Sequence, residues 1–463
     1  MASVLNAKGV PLYYSGSSTR HFSAKNSGPQ LFGTIYNDSM WGDANVTVTM
    51  FGGAGDDFYY LYSSKNKVVE YLNQGIDTIN TWMSYTLPTN VENLIVTGDK
   101  RYAFGNTLNN IITGGAGQQT LDGLKGDDVL KGGSGADIFV VTAGNGSDLI
   151  LDFAAEDSVR VGSYGFTSFA QVRSHMVQSG ANVRLNLSSS EFLVFANKTI
   201  DQFAASQFKL ALDKSSLHLS FSDEFHGLSL WNGSSGTWDS NYWWGAANGS
   251  SLTDNKELQW YIDTDYGPTK SVNPFSVEDG VLTITAARAP AGIRPYINNY
   301  EYTSGLLTTY ESFAQTYGYF EIRADMPENQ GAWPAFWLLP ADGSWPPELD
   351  VVELRGQDPN NLIMTAHSKV TGSHTAVIST PYAASADGFH TYGVLWTKDA
   401  LVWYFDNTEV ARSATPSDMN KPMYMLVNLA VGGMAGTPAD HLATPAEMQI
   451  DYIRAYAFND WIV

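Results

Sequence analysis

The sequence predicts an all-β protein in which an N-terminal parallel β-roll is followed by a C-terminal β-sandwich. Residues 105–140 divide without a gap into four nine-residue units, a period typical of a parallel β-roll. From residue 217 onward, short segments of alternating apolar and polar residues are separated by turn residues, which is the pattern of a two-sheet sandwich. The 463 residues include 43 glycines and 18 prolines, as many short strands joined by tight turns require.

Composition excludes several classes of function. The 26 basic and 47 acidic residues leave a net charge of −21, which would repel a phosphate backbone, so we expect no nucleic-acid partner. The absence of cysteine excludes thiol nucleophiles, thiolate zinc sites and disulfides. The opening segment MASVLNAKGVPLYYSG lacks the apolar core of a signal peptide, and no run of about 18 apolar residues occurs, so we expect no membrane insertion.

The four nonapeptides are GNTLNNIIT, GGAGQQTLD, GLKGDDVLK and GGSGADIFV. They resemble the calcium-binding repeats of RTX proteins, in which a glycine turn supplies backbone carbonyls and the sixth residue supplies a carboxylate. An ordinary glycine-rich loop is the alternative, but a loop has no reason to keep a nine-residue period. In such a roll each calcium lies between one repeat and the next but one. The predicted pairs of ligands are Asn110 with Asp128, Gln119 with Asp137, and, in the upstream units GTIYNDSMW and GGAGDDFYY, Asp38 with Asp57.

A capping segment is expected between the repeats and the sandwich. Residues 145–208 contain the strand-like runs NVRLNLS and FLVFAN and a predicted short helix, FTSFAQVRSHMV. A repeat stack needs its open end covered, and this segment follows the last repeat. The polar stretch LDKSS marks the boundary. We therefore expect a calcium-binding roll with its cap over residues 1–210 and a second domain over residues 217–463.

Three acidic residues stand close together in the segment WPPELDVVELRG. On a regular strand Glu348 and Asp350 share a face, whereas Glu353 would point the other way. A β-bulge at Val351 or Val352 would return Glu353 to the face of the other two. Two glutamates could then act across one sugar linkage as acid and as nucleophile, and the aspartate between them would raise the pKa of a neighbour. The alternative for so short a pattern is a solvated strand edge or a calcium site.

The surroundings of the triplet resemble glycoside hydrolase family sixteen, the laminarinase-like β-jelly-roll enzymes. The resemblance covers about residues 217–458 and rests on motifs in family order, which are DEF, NKELQWYID, GYFEIRADMPENQGAWPAFWLLPADGSWPPELDVVE, FHTYGVLWTKDALVWYFDN, LVNLAVGG and IDYIRAYA. It implies retention of configuration, with Glu348 as nucleophile, Asp350 as helper and Glu353 as acid/base. The spacer Val351-Val352 matches the bulged branch, which favours laminarinase, agarase, carrageenase and exopolysaccharide glycanase activities over those of lichenases.

Several residues near the triplet are candidates for sugar binding. A flat ring beside the acids can stack on a pyranose, although large rings also dominate sandwich cores, and Trp337 is equally consistent with the core. A histidine shortly after the acids is expected in the cleft. The candidates are Trp333, Trp345, Trp260, His367, Gln259 and Asn428.

The combination of RTX repeats with this domain resembles the secreted rhizobial glycanases that depolymerise succinoglycan-type exopolysaccharide. An acidic polysaccharide would be repelled by the net charge, so basic residues near the cleft would be needed. The available residues are Arg294, Arg323, Arg355 and Lys369. The family resemblance also implies a structural calcium ion at Glu224 and Asp451.

We therefore predict a secreted, calcium-dependent endo-β-glycanase. A non-catalytic glycan-binding or adhesion protein and a transglycosylase using the same site are the alternatives. RTX proteins resemble one another in leaving the cell through type I secretion machinery, and one of their signals is a terminal acidic residue followed by three apolar ones. The chain ends Asp460-Trp461-Ile462-Val463, so we expect that machinery as a partner and an extracellular location.

Overall fold

The computed structural model describes residues 3–13, 20–24, 29–383, 387–439 and 441–459. The chain divides into two compact units, Met1–Leu212 and Asp213–Val463, and the boundary falls inside the polar stretch LDKSS. Strands dominate both units, which confirms the all-β prediction. Within the described ranges, no helix is both long enough and apolar enough to cross a membrane. The terminal tetrapeptide Asp460–Val463 lies outside the described residues.

The first unit is built mainly from parallel strands that stack coil upon coil. Its largest sheet contains, in spatial order, Met176–Ser179, Asn182–Asn186, Phe192–Phe195, Leu149–Ile150, Val129–Lys131, Ile111–Thr113, Asn93–Val96, Thr78–Thr81, Phe58–Leu61, Asp38–Trp41 and Arg20–Ser23. Two further parallel sheets contain Tyr85–Thr86, Arg101–Asn106, Gln119–Leu124, Ile138–Val140, Ser158–Arg160 and Phe208–Lys209, and Gln30–Phe32, Val48–Phe51 and Asn66–Val69. A small antiparallel pair joins Ser3–Leu5 and Pro11–Tyr13.

The glycines recur in every repeat because neighbouring coils approach one another closely. Gly133 and Gly135 have φ values of +99° and +121°, which a residue with a Cβ rarely adopts. A Cβ on Gly133 would also lie 2.1 Å from the backbone oxygen of Gly115 in the neighbouring coil. Between the turns, Leu121 and Phe139 pair in register and are fully buried. Each repeat therefore needs its glycines for the turn and its apolar residue for the core.

The predicted cap closes the stack by changing strand direction. The helix Phe169–Ser174 begins at Ser168, which forms a capping box with Gln171. The strand Asn182–Asn186 then pairs antiparallel with both Met176–Ser179 and Phe192–Phe195, whereas Phe192–Phe195 pairs parallel with Leu149–Ile150 of the stack. Among the described residues of this unit, 3-10 turns are formed by Gly162–Tyr164, Ile200–Gln202 and Ala205–Gln207.

The second unit is a sandwich of two sheets, as the jelly-roll prediction requires. One sheet contains Gln259–Tyr261, Tyr302–Ser304, Val281–Arg288, Ala446–Phe458, Gly318–Asp325, His390–Trp396, Ala400–Phe405 and Thr408–Ala414, with Leu217–Asp223 and Phe275–Glu278 paired alongside. The other contains Leu306–Thr308, Met423–Val431, Ala332–Pro340, Glu348–Arg355, Asp358–Ser368 and Thr375–Ser379. The 3-10 turns are Thr253–Asn255, Gly267–Thr269, Arg294–Tyr296 and Gly433–Ala435. One large core, which includes Phe320, Phe336 and Trp403, fills the space between the sheets.

Candidate active site and cation sites

The strand Glu348–Arg355 carries one residue more than its neighbours can pair. Against the strand Ala332–Pro340 its register shifts between Asp350 and Val352, which leaves Val351 unpaired. Against the strand Asp358–Ser368 it shifts between Asp350 and Glu353, and neither valine is paired. Val351 and Val352 are consecutive, yet both are fully buried in the core. The predicted β-bulge is therefore confirmed. Its consequence is that one groove is lined by all three acids, Glu348, Asp350 and Glu353.

The groove has a volume of about 820 Å³ and lies on the face of the sheet that points away from the core. The neighbouring strands contribute alternate residues to it, because successive side chains of a strand point to opposite faces. Trp337 and Leu339 line the groove, whereas Phe336 and Leu338 on the same strand are core residues. The acids therefore lie on rigid strands inside an extended depression.

Burial raises the pKa of all three acids, and the charge of neighbouring carboxylates raises the pKa of the two glutamates further. Burial, followed by the charge of Asp350, raises the pKa of Glu348 to about 8. Burial raises the pKa of Asp350 to about 7, and a hydrogen bond with Glu348 acts in the opposite direction. The pKa of Glu353 is raised well above its usual value by burial and then by the charges of Asp350 and Glu348. At neutral pH the free site therefore retains protons, as an acid catalyst requires.

Indole groups orient the two glutamates. The Nε1–H of Trp333 donates to Oε1 of Glu353 at 3.0 Å, and the Nε1–H of Trp345 donates to Oε2 of Glu348 at 2.5 Å. An indole nitrogen can only donate, so these two oxygens are acceptors. A proton held by Glu353 therefore resides on Oε2, the oxygen that the indole leaves available. Trp333 and Trp345 thus both line the groove, as predicted.

Two histidines continue the acidic cluster toward solvent. His367 lines the groove as expected, and its Nε2 lies 3.2 Å from Oδ2 of Asp350 and 3.8 Å from Oε1 of Glu348. Its Nδ1 is hydrogen-bonded to Nε2 of His374 at 2.8 Å. His374 was not a sequence candidate, because only the pairing of Asp358–Ser368 with Thr375–Ser379 turns it back over the acids.

The remaining substrate candidates have different places in the structure. Trp260 and Gln259 are buried and outside the described lining of the groove, where Trp260 donates to Asn248 and Gln259 bonds with Glu257. The prediction that Trp260 forms a wall of the cleft is wrong, since its ring packs in a separate cluster with Ile262 and Ile293.

Asn428 and Arg355 are both occupied by neighbouring side chains. Asn428 lines the groove, but its side chain accepts from Trp337 at 2.8 Å and donates to Tyr261 at 2.9 Å. Arg355 pairs with Asp358 at 2.7 Å and is not among the described lining residues. Hydroxyl recognition by Asn428 is therefore limited by existing bonds, and the expected contact of Arg355 with substrate is not supported.

The carboxylates expected to share a calcium ion in the second unit are held by arginines instead. Arg454 donates two hydrogen bonds to Glu224, both of 2.8 Å, and Arg323 pairs with Asp451 at 2.5 Å. Bidentate guanidinium binding already neutralises Glu224. The structure therefore corrects the expectation of a calcium site formed by Glu224 and Asp451.

The carboxylates of the first unit stack from coil to coil. The backbone N–H of Asp38 donates to Oδ1 of Asp57 at 2.8 Å, that of Asn110 to Asp128 at 2.6 Å, and that of Gln119 to Asp137 at 2.8 Å. The predicted pairs are thus adjacent. The second carboxylate oxygens of Asp57, Asp128 and Asp137 are buried and have no hydrogen-bond partner among the described residues. Buried carboxylate oxygens without a partner fit the oxygen-only ligation that calcium prefers.

The stacks continue through acids that the nonapeptide pattern did not reveal. Asp57 donates its backbone N–H to Asp77, Asp128 to Asp148 and Asp137 to Asp157. Each step spans 20 residues instead of 18, so these acids fall outside the period.

Glu70 also joins this arrangement, from the position that glycine occupies in a regular repeat. One oxygen each of Asp57, Glu70 and Asp77 lies within 4.8 Å of the others, and all three residues are buried. The hydroxyl of Tyr59 donates to Oε1 of Glu70, whereas Oε2 has no partner among the described residues. Burial raises the pKa of Asp57 to about 7 and that of Asp77 to about 9. Such a cluster has the charge and the free oxygens to hold a cation.

The acidic groove of the second unit and the stacked carboxylates of the first unit together indicate the class of protein. A family model described as Glycosyl hydrolases family 16 matches residues 256–454, which contain Glu348, Asp350 and Glu353. A second, for the RTX calcium-binding nonapeptide repeat (4 copies), matches residues 104–139 and 113–150. The chain belongs to glycosyl hydrolase family 16, is a glycoside hydrolase and carries RTX calcium-binding repeats.

Two curated relatives match the chain over almost its full length. The chain is 63% identical over 459 residues to endo-1,3-1,4-beta-glycanase ExsH of Rhizobium meliloti (strain 1021), covering 99% of both chains. It is 59% identical to endo-1,3-1,4-beta-glycanase EglC of the same organism, again over 99% of both. Among solved structures, the laminarinase from Rhodothermus marinus is 28% identical, with a TM-score of 0.44 over 53% of this chain and 98% of that one.

Proposed function

We propose that the chain is a secreted, retaining endo-β-glycanase that cleaves internal linkages of a β-1,3-1,4-linked glycan or a bacterial exopolysaccharide. The observation that carries this proposal is the bulged strand that places Glu348, Asp350 and Glu353 in one groove. The names of the two rhizobial relatives support an endo-acting β-glycanase.

In the proposed mechanism Glu353 donates the proton on Oε2 to the glycosidic oxygen while Oε1 of Glu348 attacks the anomeric carbon. The bond to the leaving sugar breaks and a glycosyl-enzyme forms. Glu353, now a carboxylate, removes a proton from water, which attacks the same carbon and releases Glu348. Asp350 takes up the proton that it shares with Glu348 in the free site, and so keeps the nucleophile ionised.

The acidic lining of the groove disfavours the binding of negatively charged parts of a substrate. Besides the three central acids, Asp254 and Glu257 line it, and the described lining residues include no lysine or arginine. Of the basic residues that the sequence offered, Arg323 and Arg355 are paired with carboxylates, and none of the four is in the described lining. If the natural glycan is acidic, its anionic substituents therefore lie outside the segment held in the groove.

A substrate panel tests this function directly. Mixed-linkage β-glucan, laminarin, agar and succinoglycan-type polysaccharides would be incubated with the full chain, and new reducing ends and product lengths measured. We expect short oligosaccharides from early times and β-configured first products by proton NMR. Inverted products would exclude the assigned pair. Products longer than the donor would identify a transglycosylase.

Calcium is proposed to have a structural role in the first unit and to couple folding to secretion. Without a cation, the stacked carboxylates repel one another, so the roll would stay unfolded at low intracellular calcium and fold outside the cell.

The terminal segment Asp460–Val463 is proposed as the secretion signal. Its test is a chain lacking these four residues, expressed with a matching type I transporter. Retention of active enzyme inside the cell is expected. Normal secretion would contradict the terminal signal and leave the hydrolase assignment intact.

A further inference from the structure

Two adjacent tryptophans in the groove have no role in the mechanism above. Trp243 and Trp244 both line it, and their exposed fractions are 46% and 44%. Exposed large aromatic side chains that share a groove with catalytic groups are typical of binding surfaces. Neither residue belongs to a strand, so no sheet pairing accounts for their position.

Both indoles are held rigidly, each by a tyrosine against one face. Trp244 stacks on Tyr242 with a centroid distance of 4.6 Å and an interplanar angle of 12°. Trp243 stacks on Tyr310 at 5.5 Å and 17°. Tyr242 is buried and packs edge-on against Trp337 in the floor of the groove. Because a tyrosine ring covers one face of each indole, only the other face is available to a ligand in the groove. Each indole is already ordered, so little side-chain entropy is lost when a ligand binds.

The loop that carries these rings is pinned at its base. The side chain of Asn241, which is buried, donates to the backbone oxygen of Ala246 at 2.7 Å and accepts from Ser250 at 2.8 Å. Gly343, in the turn after the strand Ala332–Pro340, leaves room for Trp243, since a Cβ there would lie 2.9 Å from its ring. The same turn continues to Trp345, which donates to Glu348. The tryptophan pair therefore lies toward the Glu348 end of the acidic cluster.

We propose that Trp243 and Trp244 form a remote subsite for a neutral β-linked hexopyranose unit of the substrate chain. The apolar C–H face of such a sugar stacks on one indole, and the second, at 86° to the first, forms an end wall. An anionic sugar is disfavoured, because the described groove lining contains five carboxylates, Asp254, Glu257, Glu348, Asp350 and Glu353, and no lysine or arginine. This inference rests on the proposed glycanase function, and it specifies which sugars the groove accepts beyond the cleaved linkage.

The test measures how activity depends on chain length. The full chain and its variants W243A, W244A and W243F would be assayed on β-1,3-1,4-gluco-oligosaccharides of three to eight units, with kcat and KM determined for each length. W82A is the matched control, since Trp82 is 51% exposed but is not a groove residue. We expect KM of the alanine variants to rise about tenfold on the longest chains and much less on the shortest, with kcat changed less than KM. W243F should recover most of the loss, and W82A should resemble the parent.

A loss in W243A and W244A that is equal at every chain length would overturn the subsite, as would no loss at any length. If the parent cleaves none of these oligosaccharides and none of the polysaccharides in the substrate panel, the glycanase proposal fails, and calorimetric binding of the eight-unit chain to W243A against the parent still decides the subsite. A carboxymethylated chain of the same length should bind at least tenfold more weakly than the neutral one. Equal binding of the two would contradict selection for neutral sugars.

Discussion

At the scale of single residues, the chemistry depends on two glutamates whose environments differ. Glu348 accepts from Trp345 and approaches His367, whereas Glu353 accepts from Trp333, and its pKa is raised by burial and by the charges of both other acids. One is therefore suited to attack and the other to donate a proton.

Replacing either glutamate by glutamine should reduce kcat/KM by at least roughly 10³-fold, because each performs a bond-making or proton-transfer step. The measurement is release of reducing ends from the best polysaccharide. An unchanged melting temperature and circular dichroism spectrum would show that the fold is intact. Near-parent activity of both E348Q and E353Q would rule out the assigned site.

The variant D350N should shift the pH profile of kcat/KM. The charge of Asp350 is the largest cause, after burial, of the raised pKa of both Glu348 and Glu353. Removing it lowers both pKa values, so both the rising and the falling limb of the profile should move to lower pH. The rate loss at the optimum should be smaller than for the glutamate variants. Limbs that stay in place would contradict electrostatic coupling between these acids.

At the scale of the element, the bulge decides which face each side chain takes. Inserting one alanine between Val351 and Val352 adds a residue beyond the one that the bulge absorbs, and should turn Glu353 toward the core, where an unpaired carboxylate is strongly destabilising. We expect loss of activity together with a lower melting temperature. The control V351A keeps the register and should lose only about 2–3 kcal/mol of stability while retaining activity. An insertion variant with parent activity would contradict the dependence of the site on this register.

The irregular coil around Glu70 provides a second prediction at this scale. E70Q should weaken one calcium site without abolishing the others, because it removes one of three buried carboxylates, Asp57, Glu70 and Asp77. Calcium titration by calorimetry would measure the loss. E278Q makes the same chemical change at an exposed position in the second unit and should leave calcium binding unaffected. Equal affinities in E70Q and the parent would remove Glu70 from the site.

At the scale of the whole molecule, the two units should respond differently to chelation. Calcium at about 100 times its dissociation constant contributes roughly 2.7 kcal/mol per site, equivalent to roughly 5–10 °C in the melting temperature of a unit of this size. Removing calcium with a chelator should lower the melting temperature of the first unit by at least that amount and leave that of the second unit unchanged. Two transitions that move together, or none that moves, would contradict a calcium-stabilised roll beside a calcium-independent hydrolase unit.

The sequence by itself determined the features that repeat along the chain or lie within one contiguous segment. The glycine period and its sixth-position acids, the capping helix and the triplet Glu348, Asp350 and Glu353 are local patterns, and the bulge could be predicted because the spacing of three acids on one strand requires it. Local patterns depend on the backbone geometry and on how side chains alternate between the two faces of a strand. Both can therefore be predicted from the sequence of these segments.

Only the tertiary structure decided which distant residues meet. Trp260 and Gln259 stand in a family motif yet are buried outside the described groove lining, whereas His374 and the pair Trp243 and Trp244 reach the groove from loops without a motif. Glu70 and Asp77 join the calcium stacks through coils of irregular length. The physical reason is that side-chain position across a sheet or between coils depends on the register of strands far apart in the chain, and no local spacing encodes that register.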